Sequence, residues 1–598
     1  MGILSKLNLM FRPILIKNYF KNYFYNKKNK SDFLIVISCF FIVFFYELLW
    51  AWQGIDYSDT GWTLTKQWLV FNGGALSQLD LIFGSTFFGG LWNSLVKGNY
   101  LFWANLGVVF LQSLIVLITC LILIKYFNRL IVFLIVLSVV PLVYTPLIKV
   151  LNYNNIPAFF LILSVYFLVK SYFTNKNKIK ILFLVIAGVL YAITLFCKFT
   201  LITFLFFPVL VIIYNFFVYK KKPFLKISII TEWVYFIAGF VTGLLIIFGI
   251  MHYFNLLIPY LKNTYNSIFF GLIGQNKEYS GLGFQHNTRD FFITLTSYYY
   301  FSIIFLPISL IFLFFCSFIF KINKKIYRNI VAVLLILLTT FLVFKYFNVY
   351  KYHNNIYFII FALNLFILIS YLVKSNNKSL NFLILLAIYL QIIINIGSLV
   401  MNWTNMYLST PLSLLILFKI SEENINFSLS PIKDLVELRK SFIIFIILIG
   451  FAMNFFIVYR DGDLFKSRFQ LTYTLETNNL KFIHTTKERA EELDGILKAI
   501  RENNKNCEKI FCVNSIPMLY YLSQFAPVTK DPWAIRLRTY ESFKKEVNKI
   551  FLENPPKIIV FSKIVTDEEK ANIVWQYIKE LNYKLIYENK KFLLYKID

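Results

Sequence analysis

Residues 101–124 read LFWANLGVVFLQSLIVLITCLILI, an apolar stretch without a charged side chain. A run of about 20 such residues is long enough to cross the hydrocarbon core of a bilayer as a helix. The rest of the chain has a similar character, since 58% of its 598 residues are hydrophobic and only 15% are charged, and its mean hydropathy is +0.64. Soluble domains carry about 25% charged residues, so this composition excludes a soluble globular protein, a disordered chain and a disulfide-rich secreted scaffold. The sequence predicts a polytopic α-helical membrane protein.

Apolar runs long enough, or nearly long enough, to span a membrane recur along the chain, and we predict about thirteen transmembrane helices. They divide the chain into a basic N-terminus at 1–31, a transmembrane domain at 32–459 with a long first outer loop at 53–100, and a less apolar C-terminal region at 460–598. The predicted spans are 33–52, 101–124, 130–147, 156–173, 180–197, 199–218, 230–253, 292–320, 330–349, 355–373, 380–400, 405–419 and 441–458.

The distribution of positive charge predicts the orientation of these spans. With the N-terminus in the cytoplasm, the cytoplasmic segments carry 27 of the Lys and Arg residues and the outer loops of the membrane part carry 9, which is the bias that the positive-inside rule describes. The N-terminal 1–31 is then an uncleaved amphipathic segment on the cytoplasmic surface. An odd number of spans places 460–598 in the periplasm or outside the cell. The positive-inside distribution of Lys and Arg accounts for the formal net charge of +29. We therefore expect no nucleic-acid partner.

Cysteine and histidine do not form a recognisable metal or disulfide pattern. The chain has six cysteines and four histidines, which are scattered. Cys507 and Cys512 lie around a predicted strand, and five extended residues cover roughly 16 Å, far beyond the reach of a disulfide. We therefore expect neither a disulfide framework nor a Cys/His zinc site.

The first outer loop carries acids close to the membrane. Asp56 and Asp59 follow the first span by a few residues, and Asp80 lies between two amphipathic stretches, 62–71 and 85–97, that are expected to lie along the membrane surface. Carboxylates near the membrane are costly and rarely incidental. One interpretation is that they are solvated loop residues, with Asp59-Thr60-Gly61 forming a turn. The other is a general base, or oxygen ligands for a divalent cation, at the membrane–water boundary.

Amides and cations provide a second set of outward candidates. In the turn TPLIKVLNYNNIP (145–157), Asn154 and Asn155 either bind the hydroxyls of a polar ligand or cap the two flanking helices. Lys198 lies between two apolar spans, where an ammonium costs roughly 2.5–3.5 kcal/mol unless it snorkels to the interface or meets an anion such as phosphate. Later outer loops add four more candidates: Arg289, Lys345, Lys351 and His353.

The C-terminal region alternates strands with helices, which predicts a small α/β domain. No glycine-rich loop follows its first strand, so nucleotide binding is not supported. We expect the domain to pack on the outer face as a lid or acceptor platform. The predicted strands are 508–513, 557–562, 583–588 and 591–597, and the predicted helices are 487–503, 517–524 and 566–581.

Three short sequence motifs accompany this layout of spans and loops. The acidic D-x-G pattern Asp59-Thr60-Gly61 precedes surface-lying helices, an L-N-Y-N-N turn precedes the fourth span, and the span AGVLYAITLFCKFT contains a glycine and ends in Lys198. Together they resemble the GT-C superfamily of integral membrane glycosyltransferases, in particular bacterial members similar to protein mannosyltransferases and the lipid A aminoarabinose transferase. The chain departs from many relatives at Asp80, since no His or Pro-Pro signature follows it.

This resemblance implies a polyprenyl-phosphate-linked sugar as donor and its transfer, with inversion, to a glycan, lipid or protein acceptor on the outer face of the cell membrane. Asp59 matches the family's catalytic acid and would take the proton of the acceptor hydroxyl, with Asp56 as a second candidate. The candidates for binding the leaving phosphate are Lys198, Lys345, Lys351 and Arg289, and those for binding substrate are Asp80, Asn154, Asn155 and His353. Mannosyltransferase-like relatives need no metal, whereas relatives that glycosylate asparagine use a divalent cation. Since the sequence has no clear second cluster of outer acids, we expect no metal or other cofactor.

Two other functions stay open. A lipid-linked oligosaccharide flippase or transporter usually shows internal repeats and charges buried within its spans, whereas the acids near the spans here, Glu47 and Glu232, stand singly. An O-antigen ligase or polymerase would share the donor chemistry, but such enzymes place a long, arginine-bearing loop later in the chain. The early, acidic loop favours the glycosyltransferase.

Overall fold

The computed structural model describes residues 27–98, 100–143, 149–218, 223–272, 378–392, 408, 411–416, 419, 459–461, 464–466, 468–503 and 509–597. Within these ranges five helices are long and apolar enough to cross a membrane: Ser31–Ala51, Leu101–Leu123, Asn155–Tyr172, Asn177–Cys197 and Glu232–Tyr253. They confirm the positions of the first, second, fourth, fifth and seventh predicted spans. The predicted spans at 380–400 and 405–419 are described only in part, and those at 292–320, 330–349, 355–373 and 441–458 lie outside the described residues, so the total of thirteen stays a prediction.

The helices of the membrane part follow the apolar runs closely, and two shorter helices fill the first outer loop. Short 3₁₀ segments lie at Ala75–Gln78 and Phe199–Leu205. The α-helices are α1 (Lys27–Ala51), α2 (Asp59–Phe71), α3 (Phe83–Ser94), α4 (Leu101–Leu123), α5 (Arg129–Val143), α6 (Asn155–Tyr172), α7 (Asn177–Cys197), α8 (Phe206–Val218), α9 (Pro223–Tyr253), α10 (Leu257–Leu272) and α11 (Lys378–Ile392).

Small residues let two of the spanning helices approach closely. A Cβ atom on Gly188 of α7 would lie 2.1 Å from the carbonyl oxygen of Phe236 in α9, and one on Gly239 would lie 2.2 Å from the carbonyl oxygen of Val185. Each glycine therefore contacts the backbone of the other helix, as small residues do at helix interfaces in membranes. The glycine of the AGVLYAITLFCKFT motif thus lets α7 pack closely against α9. Helix α7 ends at Cys197, directly before Lys198.

The C-terminal region is a mixed α/β unit. Its strands are β1 (Tyr459–Asp461), β2 (Leu464–Lys466), β3 (Tyr473–Thr474), β4 (His484–Thr485), β5 (Lys509–Val513), β6 (Ala526–Pro527), β7 (Ile558–Ser562), β8 (Lys584–Glu588) and β9 (Phe592–Lys596). Its helices are α12 (Lys487–Asn503), α13 (Met518–Ser523), α14 (Ala534–Leu537), α15 (Tyr540–Glu553) and α16 (Glu568–Glu580). The sequence analysis predicted half of these elements, namely β5, β7, β8, β9, α12, α13 and α16.

The main sheet has the order β6-β5-β7-β9-β8, with β5 parallel to β6 and β7, and β9 antiparallel to β7 and β8. Because successive side chains of a strand point to opposite faces, Ile510 and Ile558 pack with α12, whereas Phe511 and Ile559 pack with α15 and α16. Both faces of the sheet are therefore covered.

The C-terminal region packs on the first outer loop. Ile55, Tyr57 and Leu64 of that loop belong to the same hydrophobic cluster as residues of α12, α13 and the central strands. The backbone continues the contact, because Gly54 N donates to His484 O (2.8 Å) and His484 N donates to Trp52 O (2.7 Å). The first loop and the C-terminal region thus form one continuous structure beside the spanning helices.

Candidate active site

Helix α2 has two chemically different faces. Residues three and four positions apart lie on one side of a helix, so Asp59, Trp62 and Lys66 share one face, whereas Gly61 and Thr65 share another. The D-x-G motif therefore opens a helix and does not form the turn that the first interpretation assumed. The helical period aligns Asp59 with Trp62 and Lys66, two side chains that the sequence analysis did not select.

Asp56 serves as the cap of α2. Its side chain is buried, and its carboxylate accepts hydrogen bonds from Ser58 N (3.1 Å), Ser58 Oγ (2.7 Å) and Thr60 N (2.9 Å). An acid that accepts the first amides of a helix also interacts favourably with the helix dipole. These contacts give Asp56 a structural role, and its burial shows that it is not a solvated loop residue.

Asp59 is half-buried at the first residue of α2 and acts electrostatically on Tyr153 of the turn before α6. Burial raises the pKa of Tyr153 to about 12, and the negative charge of Asp59 adds to that rise. The phenol of Tyr153 is thus protonated at neutral pH.

Lys198 lies directly after α7 and meets the asparagine turn. Its Nζ donates to Asn154 Oδ1 at 2.9 Å and stands 5.7 Å from the centre of the Tyr153 ring. Burial lowers the pKa of Lys198 to about 7, because desolvation disfavours the ammonium. Two motifs 44 residues apart in the chain, the L-N-Y-N-N turn and the lysine at the end of the glycine-containing span, are thereby brought together.

The other asparagines of the turn stabilise its backbone. Asn152 Oδ1 accepts from Asn154 N (2.7 Å) and Asn155 N (3.2 Å), and Asn155 Oδ1 accepts from Asn152 N (2.8 Å). Both side chains are buried. The side chain of Asn152 thus accepts the first amide of α6, Asn155 binds the backbone of the turn, and Asn154 contacts Lys198.

Asp80 forms an ion pair with Lys66, whose Nζ also lies 4.7 Å from the centre of the Trp62 ring. The other carboxylate oxygen of Asp80 accepts from Ile82 N at 3.0 Å, just before α3 begins. The lysine side chain is almost fully buried, whereas 36% of the Asp80 side chain is exposed. The pair ties α2 to the start of α3.

The second face of α2 is shaped by the C-terminal region. A Cβ atom on Gly61 would lie 2.3 Å from Met518 N, so only glycine allows this approach. Met518 N donates to Tyr57 O at 3.1 Å, and Thr65 Oγ1 donates to Pro517 O at 2.9 Å. Across the helix, Trp62 Nε1 donates to Asp531 Oδ1 at 3.2 Å. Asp531 is 469 residues away from Trp62 in the chain, and no local signal in the sequence could have paired them.

Lys149 is another residue that the sequence analysis did not select. It is buried, and its Nζ donates to the carbonyl oxygens of Trp50 and Gln53 at the end of α1. It therefore binds the asparagine turn to the start of the first outer loop. Its position in the L-I-K-V-L-N-Y-N-N segment would have allowed its selection, since a lysine next to two apolar spans must find a partner.

Four candidates fall outside the described residues: Arg289, Lys345, Lys351 and His353. Their positions in the site stay predictions. Among the residues that the structure describes, no group of three or more His, Cys, Asp or Glu side chains is placed to hold a metal ion.

No family model and no curated protein sequence matches this chain. Its structure is similar to the crystal structure of ArnT from Cupriavidus metallidurans bound to undecaprenyl phosphate, with 9% sequence identity, a TM-score of 0.48 and coverage of 94% of this chain and 97% of ArnT. The crystal structure of the same ArnT in the apo state gives 9% identity, a TM-score of 0.42 and coverage of 95% and 98%. The chain thus aligns with ArnT along nearly the full length of both chains, at low sequence identity.

Proposed function

We propose that the protein is an integral membrane glycosyltransferase that moves a sugar from a polyprenyl-phosphate donor to an acceptor hydroxyl on the outer face of the membrane. The observation that supports this proposal is the position of the buried Lys198, whose Nζ lies 2.9 Å from Asn154 Oδ1 and 5.7 Å from the centre of the Tyr153 ring. The charge of Asp59, at the start of α2, raises the pKa of the same tyrosine. The reaction needs both groups, a base for the acceptor and a cation for the leaving phosphate.

In the proposed reaction Asp59 accepts the proton of the acceptor hydroxyl as its oxygen forms a bond to C1 of the sugar. A carboxylate in this role contributes roughly 10²–10⁴-fold. The bond between C1 and the phosphate oxygen breaks at the same time, and the configuration at C1 inverts. The polyprenyl phosphate leaves with the bonding electron pair.

Lys198 stabilises the leaving group. The donor is a phosphodiester with one negative charge, and the departing monoester carries about −1.5 to −2 at neutral pH. Negative charge therefore grows during the reaction, so a fixed ammonium binds the transition state more tightly than the ground state. The hydrogen bond to Asn154 Oδ1 holds the Lys198 amine in place. Lys345, Lys351 and Arg289 are proposed as further phosphate ligands, and the acceptor is a glycan, lipid or protein.

The proposal is tested with the purified full chain in liposomes and a panel of radiolabelled polyprenyl-phosphate sugars. Release of sugar from the lipid by the wild type, but not by Asp59→Asn, supports the donor class and the base. Equal release by both moves the base to Asp56 or Asp80. Movement of labelled lipid across the bilayer without any release would overturn the proposal in favour of a flippase.

A further inference from the structure

Two phenylalanines of the C-terminal region expose most of their surface. Phe469 and Phe482 are each 59% exposed, although exposure of an apolar ring to water is unfavourable. Lys481 is exposed beside the second ring, with its Nζ 5.5 Å from the ring centre. We call Phe469, Lys481 and Phe482 the rim. Exposed apolar groups next to polar ones are typical of surfaces that bind another protein or a membrane.

Phe469 belongs to a segment that lies against the end of α1. On one side of it, the Arg468 guanidinium stands 4.8 Å from the centre of the Trp50 ring. On the other side, Leu471 packs with Leu49 and Trp50. Both contacts are made with the last turn of α1. Phe469 therefore lies at the level at which this spanning helix ends.

Phe482 lies against the start of α4. Its ring contacts that of Phe102, with the ring centres 5.7 Å apart, and Phe102 is the second residue of α4. The preceding 3₁₀ turn, Asn478–Leu480, contacts the same helix. Two residues after Phe482, His484 N donates to Trp52 O at 2.7 Å, so this segment also reaches the end of α1.

The lengths of these two helices place the contacts at the edge of the bilayer. The spanning part of α1 has 21 residues and that of α4 has 23, which gives about 31 Å and about 34 Å at a rise of about 1.5 Å per residue. The hydrocarbon core of a bilayer is about 30 Å thick. The last turn of α1 and the first turn of α4 therefore lie at its boundary. An aromatic ring beside a lysine suits this level, where the ring meets acyl chains and the ammonium meets headgroups.

The backbone of Phe482 provides a second, independent observation. Its φ is +71°, in the left-handed region that glycine and asparagine adopt easily and bulky residues rarely do. Glycine or asparagine would therefore suit the fold of the C-terminal region better. Because the ring is 59% exposed, it contributes little to the core of that region. The gain that offsets the strained backbone thus lies outside the region.

We propose that the rim inserts its two phenyl rings into the bilayer on the side of the first outer loop, with the Lys481 ammonium at the headgroup phosphates. The partner is the phospholipid of that leaflet. The C-terminal region is then attached to the lipid surface as well as to the first outer loop. This attachment goes beyond the proposed function and does not depend on the transfer of a sugar.

The test places a photoreactive analogue of phenylalanine in the full chain. In separate preparations p-benzoylphenylalanine replaces Phe469, Phe482 or Leu552, and the protein is irradiated in vesicles of phosphatidylethanolamine and phosphatidylglycerol. Leu552 is the control, because it is 78% exposed but lies in α15, on the face of the main sheet opposite to α12. Mass spectrometry should detect phospholipid adducts at both rim positions, in several-fold higher yield than at position 552.

A substitution separates attachment to lipid from folding. Phe482→Asn removes the ring and suits the left-handed backbone, so the melting temperature in detergent should not fall. In the preparation with the analogue at position 469, the same substitution should lower the yield of lipid adducts several-fold, because one of the two inserted rings is lost. Leu552→Asn is the matched control, since it removes an exposed apolar side chain outside the rim and should leave the yield unchanged.

Four results would overturn the proposal. The first is the absence of lipid adducts at both rim positions, and the second is an equal yield at all three positions. The third is adducts to a second copy of the chain, or to another segment of the same chain, which would identify that contact as what covers the rings. The fourth is a lower melting temperature of Phe482→Asn with an unchanged yield at position 469, which would make the ring part of the fold alone. Release of sugar from the donor is measured separately and is unaffected by any of these results.

Discussion

The two faces of α2 have different surroundings, since one borders the asparagine turn and the other packs against the C-terminal region. The face with Asp59, Trp62 and Lys66 is polar and borders a pocket, whereas the face with Gly61 and Thr65 packs against the backbone around Met518. A carboxylate on the first face can act on a substrate. On the second face, even the methyl group of an alanine at Gly61 would have no room beside Met518. The difference teaches that the three residues of the D-x-G motif serve two faces of one helix, with an acid on one face and a close backbone contact on the other.

The largest expected effect lies on the pocket face. Asp59→Asn should lower sugar transfer by about 10²–10⁴-fold, because the amide cannot accept the acceptor proton. The melting temperature of the solubilised protein should stay close to that of the wild type, since Asp59 is half-buried at the helix start. Radiolabel transfer and thermal unfolding on the same preparation check both parts, and full activity of the variant would remove Asp59 from the mechanism.

The packing face should respond in stability. Gly61→Ala places a Cβ atom 2.3 Å from Met518 N, and overpacking of this kind costs about 1–3 kcal/mol. We expect a lower melting temperature and faster proteolytic release of the C-terminal region. Gly249→Ala is the matched control, since a Cβ there meets no atom within 4 Å. If the two variants melted alike, the close contact between α2 and α13 would be refuted.

The cation beside the pocket should make donor binding depend on pH. Burial lowers the pKa of Lys198 to about 7, so the free protein carries the ammonium below this pH and loses it above. Affinity for polyprenyl phosphate should therefore fall as the pH rises above about 7, by up to about tenfold per pH unit until the bound phosphate no longer retains the proton. Lys198→Arg, which stays protonated, should flatten this alkaline limb. An unchanged limb in the arginine variant would assign the titration to another group.

The smallest expected effect concerns the cap that precedes both faces. Asp56→Ala removes the carboxylate that accepts from the Ser58 and Thr60 amides, which should cost about 0.5–2 kcal/mol of stability. Transfer by the folded fraction should change far less than in Asp59→Asn. Urea or thermal unfolding measures the first quantity and activity per folded molecule the second. A loss of activity as large as that of Asp59→Asn, without a loss of stability, would identify Asp56 as the base.

Local patterns were sufficient for the five described spanning helices and for half of the elements of the α/β region. The apolar runs placed α4 and α6 to within a residue of their ends and α7 to within three residues, because the thickness of a bilayer sets the length of a span. Strand and helix periodicity placed β5, β7 and α12 equally closely. The short strands β1, β2, β3, β4 and β6 and the helices α14 and α15 were not predicted.

The sequence predicted individual residues of the site but not the contacts between them. Asp59, Asn154 and Lys198 stood out because a charge or amide beside an apolar span must find a partner. Both residues are aspartates, so residue type alone could not distinguish Asp56 from Asp59. Only the helix that begins at Asp59 makes Asp56 its cap and places Asp59 where its charge acts on Tyr153.

The sequence by itself determined the class of the protein, the position of its described spans and the presence of an acid and a lysine beside them, because hydrophobic length and charge are local properties. Only the tertiary structure decided that Asn154 meets Lys198, that Gly61 admits Met518 and that Asp531 holds Trp62. These contacts join residues 44, 457 and 469 positions apart. Such pairings depend on how whole elements pack, and no periodicity within one segment records them.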